Sequence, residues 1–212
     1  MPTKPETAAA DLAYLREMAE AGANTPLLGG RFMAWWGGLA GFTFVAHWAI
    51  VMEYAPLGWN MLLPMWIGFM LVGGAGQALL VWSIRNKPGG GSMGNRAQSI
   101  VWPAIGAALM AYFFGIVAGV YAGGLPPVFF NSMLAVGFAG YGAGWMIDAL
   151  ITRQRLLLAP AVISFACVFA CAALMMTAHA YLVAAAGMII GTFLPGALMM
   201  FKEPRSQVQS DG

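Results

Sequence analysis

Charge is what this sequence has least of. Only 8% of its 212 residues are Asp, Glu, Lys or Arg, whereas 60% are hydrophobic; an ordinary soluble domain carries about 25% charge. That balance excludes a soluble globular fold. Cysteine is nearly missing: Cys167 and Cys171 share one apolar run, which makes neither a disulfide framework nor a zinc spacing. The opening MPTKPETAAADLAYLREMAE lacks a basic segment followed by an apolar one, so no cleavable leader is expected and the first apolar run should stay in the protein. There is no Ser, His and Asp set, HExxH, GxSxG or paired acidic motif. Neither an enzyme, a resident cofactor nor a nucleic-acid partner is expected. No charged residue falls near the middle of any apolar run, which weighs against proton- or ion-coupled transport.

What the chain does have is long apolar runs. A helix of about twenty apolar residues crosses a hydrocarbon core of about 30 Å. Six such spans are expected: Phe32 to Met52, Trp59 to Trp82, Ser99 to Tyr121, Val128 to Ile147, Leu156 to Met176 and Tyr181 to Phe201. The longest polar break among them, Ser83 to Gln98, holds Arg85, Lys87 and Arg96, and TRQR supplies Arg153 and Arg155. The other connections, EYAPLG, AGGLPP and TAHA, have no Lys or Arg. With Lys4, Arg16, Arg31, Lys202 and Arg205, all ten basic residues fall on one face of a six-span reading. Removing any one span would scramble that segregation, so the positive-inside rule points to both termini being cytoplasmic. The expected fold is therefore an all-α integral membrane protein of three helical hairpins. Residues 1–31 form a cytoplasmic segment, 32–201 the transmembrane domain and 202–212 a polar tail. The expected location is the cytoplasmic (inner) membrane of a bacterium. Trp35, Trp36, Trp59, Trp82, Trp102, Tyr54, Tyr121 and Tyr181 lie near span ends, as an aromatic belt requires.

Ahead of the spans, Thr7 to Ala21 reads as a short amphipathic helix, with Leu12, Leu15, Met18 and Ala19 on one side and Asp11, Arg16, Glu17 and Glu20 mostly on the other. It has more acid than base, unlike helices that lie on anionic lipid. Residues 7–21 are thus expected to dock on the protein's own cytoplasmic face or on a cytoplasmic protein partner. The lipid bilayer surrounds the rest.

The polar residues in or beside the spans are few. Asn60 and Gln77 stand seventeen residues apart in the second, as do Asn131 and Asp148 in the fourth. These four are candidate waypoints of a polar path, and their spacing raises an internal repeat. Asp148 is the one acid within a span; it is either functional or satisfied by Arg153 or Arg155, which follow within about two turns. Gly37 and Gly41, Gly115 and Gly119, Gly140 and Gly144, and Gly187 and Gly191 recur at four-residue spacing. Such pairs let helix backbones approach closely, for packing within the bundle or between copies in a homo-oligomer. In the fifth span, Cys167, Cys171, Met175 and His179 follow at steps of four; each step rotates by about 40°, giving a slanting stripe of soft donors. Thiolate, thioether and imidazole suit Cu(I), but buried Cys and Met commonly act as apolar filler. His47 and His179 lie at similar depth, near Glu53, and form the single histidine pair a haem iron could use; the alternative is interfacial bonding to a carbonyl or water. No metal site is assigned from these candidates.

In outline the chain resembles small six-helix permeases such as the acetate/succinate transporter family, in its length, in having both ends inside, and in a Pro-Leu-Gly lead-in, here Asn24-Thr-Pro-Leu-Leu-Gly29. It departs from that family at Arg31, in a less complete lead-in motif and in its leading helix, and no functional residue is carried over. Two functions follow as expectations. One is a passive permease or channel for a small, weakly polar or neutral solute, with a continuous path through one protomer. The other is a non-transporting membrane subunit, sensor or scaffold with a dry, closed bundle.

Overall fold

The computed structural model describes residues 27–85, 87 and 90–201. The expected helix at residues 7–21 and the tail at 202–212 lie outside the described residues. Within them the chain is helical, and six helices are long and apolar enough to cross a membrane. This is a multi-pass membrane protein. The helices are α1 (Gly30–Val51), α2 (Leu62–Ile84), α3 (Met93–Ala122), α4 (Ser132–Thr152), α5 (Leu158–Ala173), α6 (His179–Met188) and α7 (Leu194–Phe201). Short 3-10 turns at Trp59–Met61, Pro127–Asn131 and Arg155–Leu157 lead into α2, α4 and α5, and a π segment at Ile189–Phe193 joins α6 to α7 as one sixth span.

Local chemistry explains the ends. Ser92 caps α3 by accepting the Asn95 N–H, so the helix starts six residues before the expected Ser99 and takes in the end of the polar break. Helix α4 stops where Arg153 adopts a left-handed backbone, φ 55°. In the sixth span Pro195 offers no N–H to the carbonyl four residues before it, and the backbone accommodates this as a π turn immediately upstream.

The six spans do not contribute equally. The first span packs along the whole sixth, and the fourth against the fifth, more extensively than any other pairs; the sixth also packs against the fifth. The second span packs mainly on the first, and the third on the fourth. In space the order is therefore second, first, sixth, fifth, fourth, third. In the most apolar windows of the second and third spans only 6% of residues are buried, against 28 to 39% in the other four, so these two are outer helices. That arrangement does not treat the hairpins as equivalents, since the second span is peripheral and the fourth central. The spacing shared by Asn60/Gln77 and Asn131/Asp148 thus joins positions with different surroundings.

Glycine lets the four central spans meet. A Cβ on Gly37 would lie 2.5 Å from Phe193 N, and one on Gly196 2.5 Å from Ala34 N, so the first and sixth spans touch backbone to backbone beside the π segment. The core has two parts. One surrounds Phe138, Cys167, Cys171, Ala184 and Met188, and the other surrounds Met33, Trp145, Ala149 and Ala161.

Candidate functional site

Polar side chains gather at the two ends of the bundle. At the end shared by the described Lys and Arg residues, the start of α3 brings Asn95 and Gln98 inward, on the face that one turn later carries Trp102. All three meet the end of α4 and the lead-in to α1. Gln98 Nε2 donates to Asp148 Oδ2 at 2.8 Å, and Trp102 Nε1 donates to the same oxygen at 3.1 Å. Asn95 Oδ1 accepts the Leu28 N–H at 2.8 Å, which straps the lead-in across the bundle end. Gly94 faces both Leu27 and Thr152, and Gly29 backs directly onto the Gln98 amide. Asn95, Gln98, Asp148 and Thr152 are all buried, Asp148 with only 1% of its surface exposed. Trp145, fully enclosed one turn before Asp148, packs edge-on to Trp102 with ring centroids 5.5 Å apart.

The second group lies at the opposite end. Trp66 Nε1 donates to His47 Nδ1 at 3.0 Å. An indole can only donate, so His47 Nδ1 must be the acceptor and Nε2 carries the ring hydrogen. The His47 ring stacks on Tyr181, with centroids 3.7 Å apart and planes 12° from parallel. Tyr181 donates its hydroxyl hydrogen to Asn131 Oδ1 at 2.8 Å, and Asn131 Nδ2 donates to the Met175 carbonyl at 2.7 Å. This sequence of contacts ties together the second, first, sixth and fourth spans and the turn after the fifth.

Asn131 and Asp148 are about 26 Å apart along the helix at 1.5 Å per residue. Between them the packing is apolar and tight: a Cβ on Gly187 would lie 2.5 Å from Cys167 Sγ and 2.7 Å from Phe138 Cζ. Three aliphatic hydroxyls at this depth are turned back on their own helices. Thr43 donates to the Leu39 carbonyl and Ser164 to the Pro160 carbonyl, each at 2.8 Å, and Thr192 faces Met188 Sδ at 4.0 Å.

The four expected waypoints are thus not brought together. Asp148 is in the first group and Asn131 in the second. Asn60 is exposed in the 3-10 turn before α2, and Gln77 accepts the Trp36 indole N–H at 2.9 Å at the edge of the bundle. The partners of the Asp148 side chain are neutral; Arg153 and Arg155 are exposed and make no ion pair with it. Six of the eight expected packing glycines receive a neighbouring helix: Gly37, Gly41, Gly140, Gly144, Gly187 and Gly191. Gly119 instead meets Leu125 in the turn after α3, and Gly115 faces open space.

The soft-donor stripe is interrupted because α5 ends at Ala173. Cys167 and Cys171 are buried and face the sixth span, Cys171 Sγ lying 3.8 Å from the Ala180 carbonyl. Met175 falls in the turn and His179 is exposed at the start of α6. Tyr181 points to His47, and His179, two residues earlier on the same helix, is rotated by about 200° from it. The two histidines are therefore not brought together, and Glu53 is exposed beyond the end of α1. Among the described residues no three His, Cys, Asp or Glu side chains converge as metal ligands. Of the aromatic residues expected in a belt, Trp59, Trp82, Tyr54 and Tyr121 are exposed, whereas Trp35 and Trp36 pack into Gly76 and Gly73.

Sequence reasoning did not single out Gln98, Asn95 or His47 with Trp66 as hydrogen-bonding partners. The signal for the first two was Ser92, a helix-capping residue inside what reads as a polar loop, with Asn95, Gln98 and Trp102 following at helical spacing. Comparison with protein-family models, curated proteins and solved structures gave no match. The likeness to acetate/succinate permeases therefore rests on topology and the lead-in alone.

Proposed function

We propose that this chain is a non-transporting subunit, sensor or scaffold of the bacterial inner membrane, with both termini in the cytoplasm and the N-terminal segment presented to a cytoplasmic partner. The orientation rests on the basic residues: Arg31, Arg85, Arg96, Arg153 and Arg155 flank the same ends of the five spans they adjoin. The observation that carries the functional reading is the separation of the two polar groups. Each is hydrogen-bonded within itself, and the layer between them is filled by Phe138, Cys167, Ala184 and Met188. A solute path needs polar or open surface throughout its length, and the path expected through Asn60, Gln77, Asn131 and Asp148 is broken at its middle.

A second reading, the passive permease, has one observation in its favour. Gly68 and Gly74 on α2 and Gly106 and Gly115 on α3 face open space, where a helix of another copy could approach closely. Any path would then run between copies in a homo-oligomer. Solute-driven swelling of proteoliposomes, over a panel of small neutral and anionic solutes, separates the two. The scaffold reading predicts rates equal to those of empty vesicles across the panel. Flux of any solute above the empty-vesicle rate, in proportion to incorporated protein, overturns it in favour of the permease.

A further inference from the structure

The group around Asp148 contains more acceptors than donors. Gln98 Nε2 and Trp102 Nε1 both donate to Oδ2. Asp148 Oδ1 and Gln98 Oε1 are buried without a hydrogen-bond partner, on side chains 1% and 6% exposed, and the Trp145 indole N–H, also buried and unpaired, bonds to neither of them. A buried acceptor is normally paired, and a buried carboxylate normally has a cation beside it. Here no cation faces it from the described residues of the elements packed around it. Arg31 on α1 turns to Ser83 on α2, with Nη1 to Oγ at 3.4 Å. Arg96 on α3, and Arg153 and Arg155 after α4, are exposed. The other ionisable groups on the surrounding helices are Tyr141, edge-on to Trp102 at 5.4 Å, and His47, Tyr112, Tyr121, Cys167, Cys171, His179 and Tyr181, which belong to the middle and far end.

Whatever supplies the missing donor must be small. The Gly29 backbone presses on the Gln98 amide so closely that a Cβ there would collide with Oε1, and the Trp102 ring that bonds Asp148 is itself packed edge-on against the enclosed Trp145. A hydrogen on the carboxyl itself needs no additional room. It converts Oδ1 from acceptor to donor and provides one for the amide oxygen on the side chain already bonded to the same carboxyl.

We propose that Asp148 and Gln98 form a proton-binding pair, in which Asp148 carries a hydrogen on Oδ1 and donates it to Gln98 Oε1 while the Gln98 and Trp102 N–H groups hold Oδ2. The proton exchanges with the aqueous phase at this end of the bundle. Its departure leaves a carboxylate opposite an amide oxygen, two acceptors in contact, directly beneath the Leu27 to Gly29 strap. The pair thereby couples proton binding to the seating of the segment that leads to the N-terminus. This inference does not depend on whether the chain conducts a solute.

Infrared spectroscopy of the full-length protein in liposomes at neutral pH tests it. The expected spectrum contains the carbonyl stretch of an un-ionised carboxyl group. Labelling aspartate with carbon-13 shifts that band down, Gln98→Leu shifts it up by removing hydrogen bonds, and Asp148→Asn abolishes it, which assigns it among the three aspartates Asp11, Asp148 and Asp211. Absence of the band in the wild type, or a band unmoved by the aspartate label, overturns the proposal; a band unmoved by Gln98→Leu overturns the pairing. If Asp148→Asn does not fold, the labelled wild type and Gln98→Leu still decide.

Discussion

The two ends of this bundle solve the same problem in different ways. At the end holding His47, side chains from several spans are linked in a relay, Trp66 to His47, Tyr181 to Asn131, Asn131 to the Met175 carbonyl, and the buried group left unpaired beside it is a single donor, the Trp48 indole N–H. At the end holding Asp148, two donors converge on one oxygen and two acceptors remain. The first pattern is that of a structural tie. It needs nothing from outside and joins four spans and a turn. The second is chemically incomplete as long as Asp148 is a bare carboxylate, and it sits under a strap that leads to the N-terminal segment. The difference teaches where to look for a response to conditions: at the Asp148 end, with the His47 end as its fixed reference.

The contrast can be broken most strongly at Asp148. Replacement by Ala leaves the Gln98 amide and Trp102 indole donors buried and unpaired, and a loss of about 2–4 kcal/mol is expected in reversible unfolding from mixed micelles. Asp148→Asn keeps a carbonyl for those donors and an N–H₂ for Gln98 Oε1, and should cost less than about 1 kcal/mol. A carboxylate held by an arginine would give the opposite ranking for Asn, with a loss approaching that of Ala. At the His47 end, Asn131→Ala removes two bonds at once and strands the Tyr181 hydroxyl, for an expected loss of about 1–2 kcal/mol in the same assay. Tyr181→Phe keeps the stack on His47 and removes one bond between helices, so about 0.6 kcal/mol is expected. Smallest is Gln77→Leu, which releases the Trp36 indole at the bundle edge and should change stability by no more than about 0.5 kcal/mol. An effect of Gln77→Leu as large as that of Asn131→Ala would mean that the second span is more than a peripheral helix.

Much of the fold was legible in the sequence because membranes impose strict lengths. The expected spans end within a few residues of the observed helices, and the one larger discrepancy, the early start of α3, has a cause in Ser92: a cap is a local signal that the polar composition of Ser83 to Gln98 concealed. The glycine pairs were legible as close-packing positions, since a missing side chain has the same consequence wherever two helices touch. Which helices touch was not legible, and so the backbone contacts at Gly30 and Gly196 escaped notice although both residues are as small as those counted. The same limit applied to the candidate site. Asp148 stood out as a carboxylate in a span, but its partners come from α3, fifty residues away in sequence, and nearby Arg153 and Arg155 were the natural expectation from spacing alone. The soft-donor stripe failed for a related reason: steps of four define a face only while the helix continues, and α5 stops at Ala173.

The central claim is that a dry apolar layer separates the two polar ends, and the protein carries its own probes of that layer. Cys167 and Cys171 lie within it, 8% and 0% exposed. The most direct measurement is modification of the native thiols by a small, membrane-impermeant methanethiosulfonate applied from either side of reconstituted wild-type protein, read by mass spectrometry. The account predicts that neither cysteine is modified until the protein is unfolded. Modification of Cys167 or Cys171 in the folded protein would place water where the layer should be, and would contradict it.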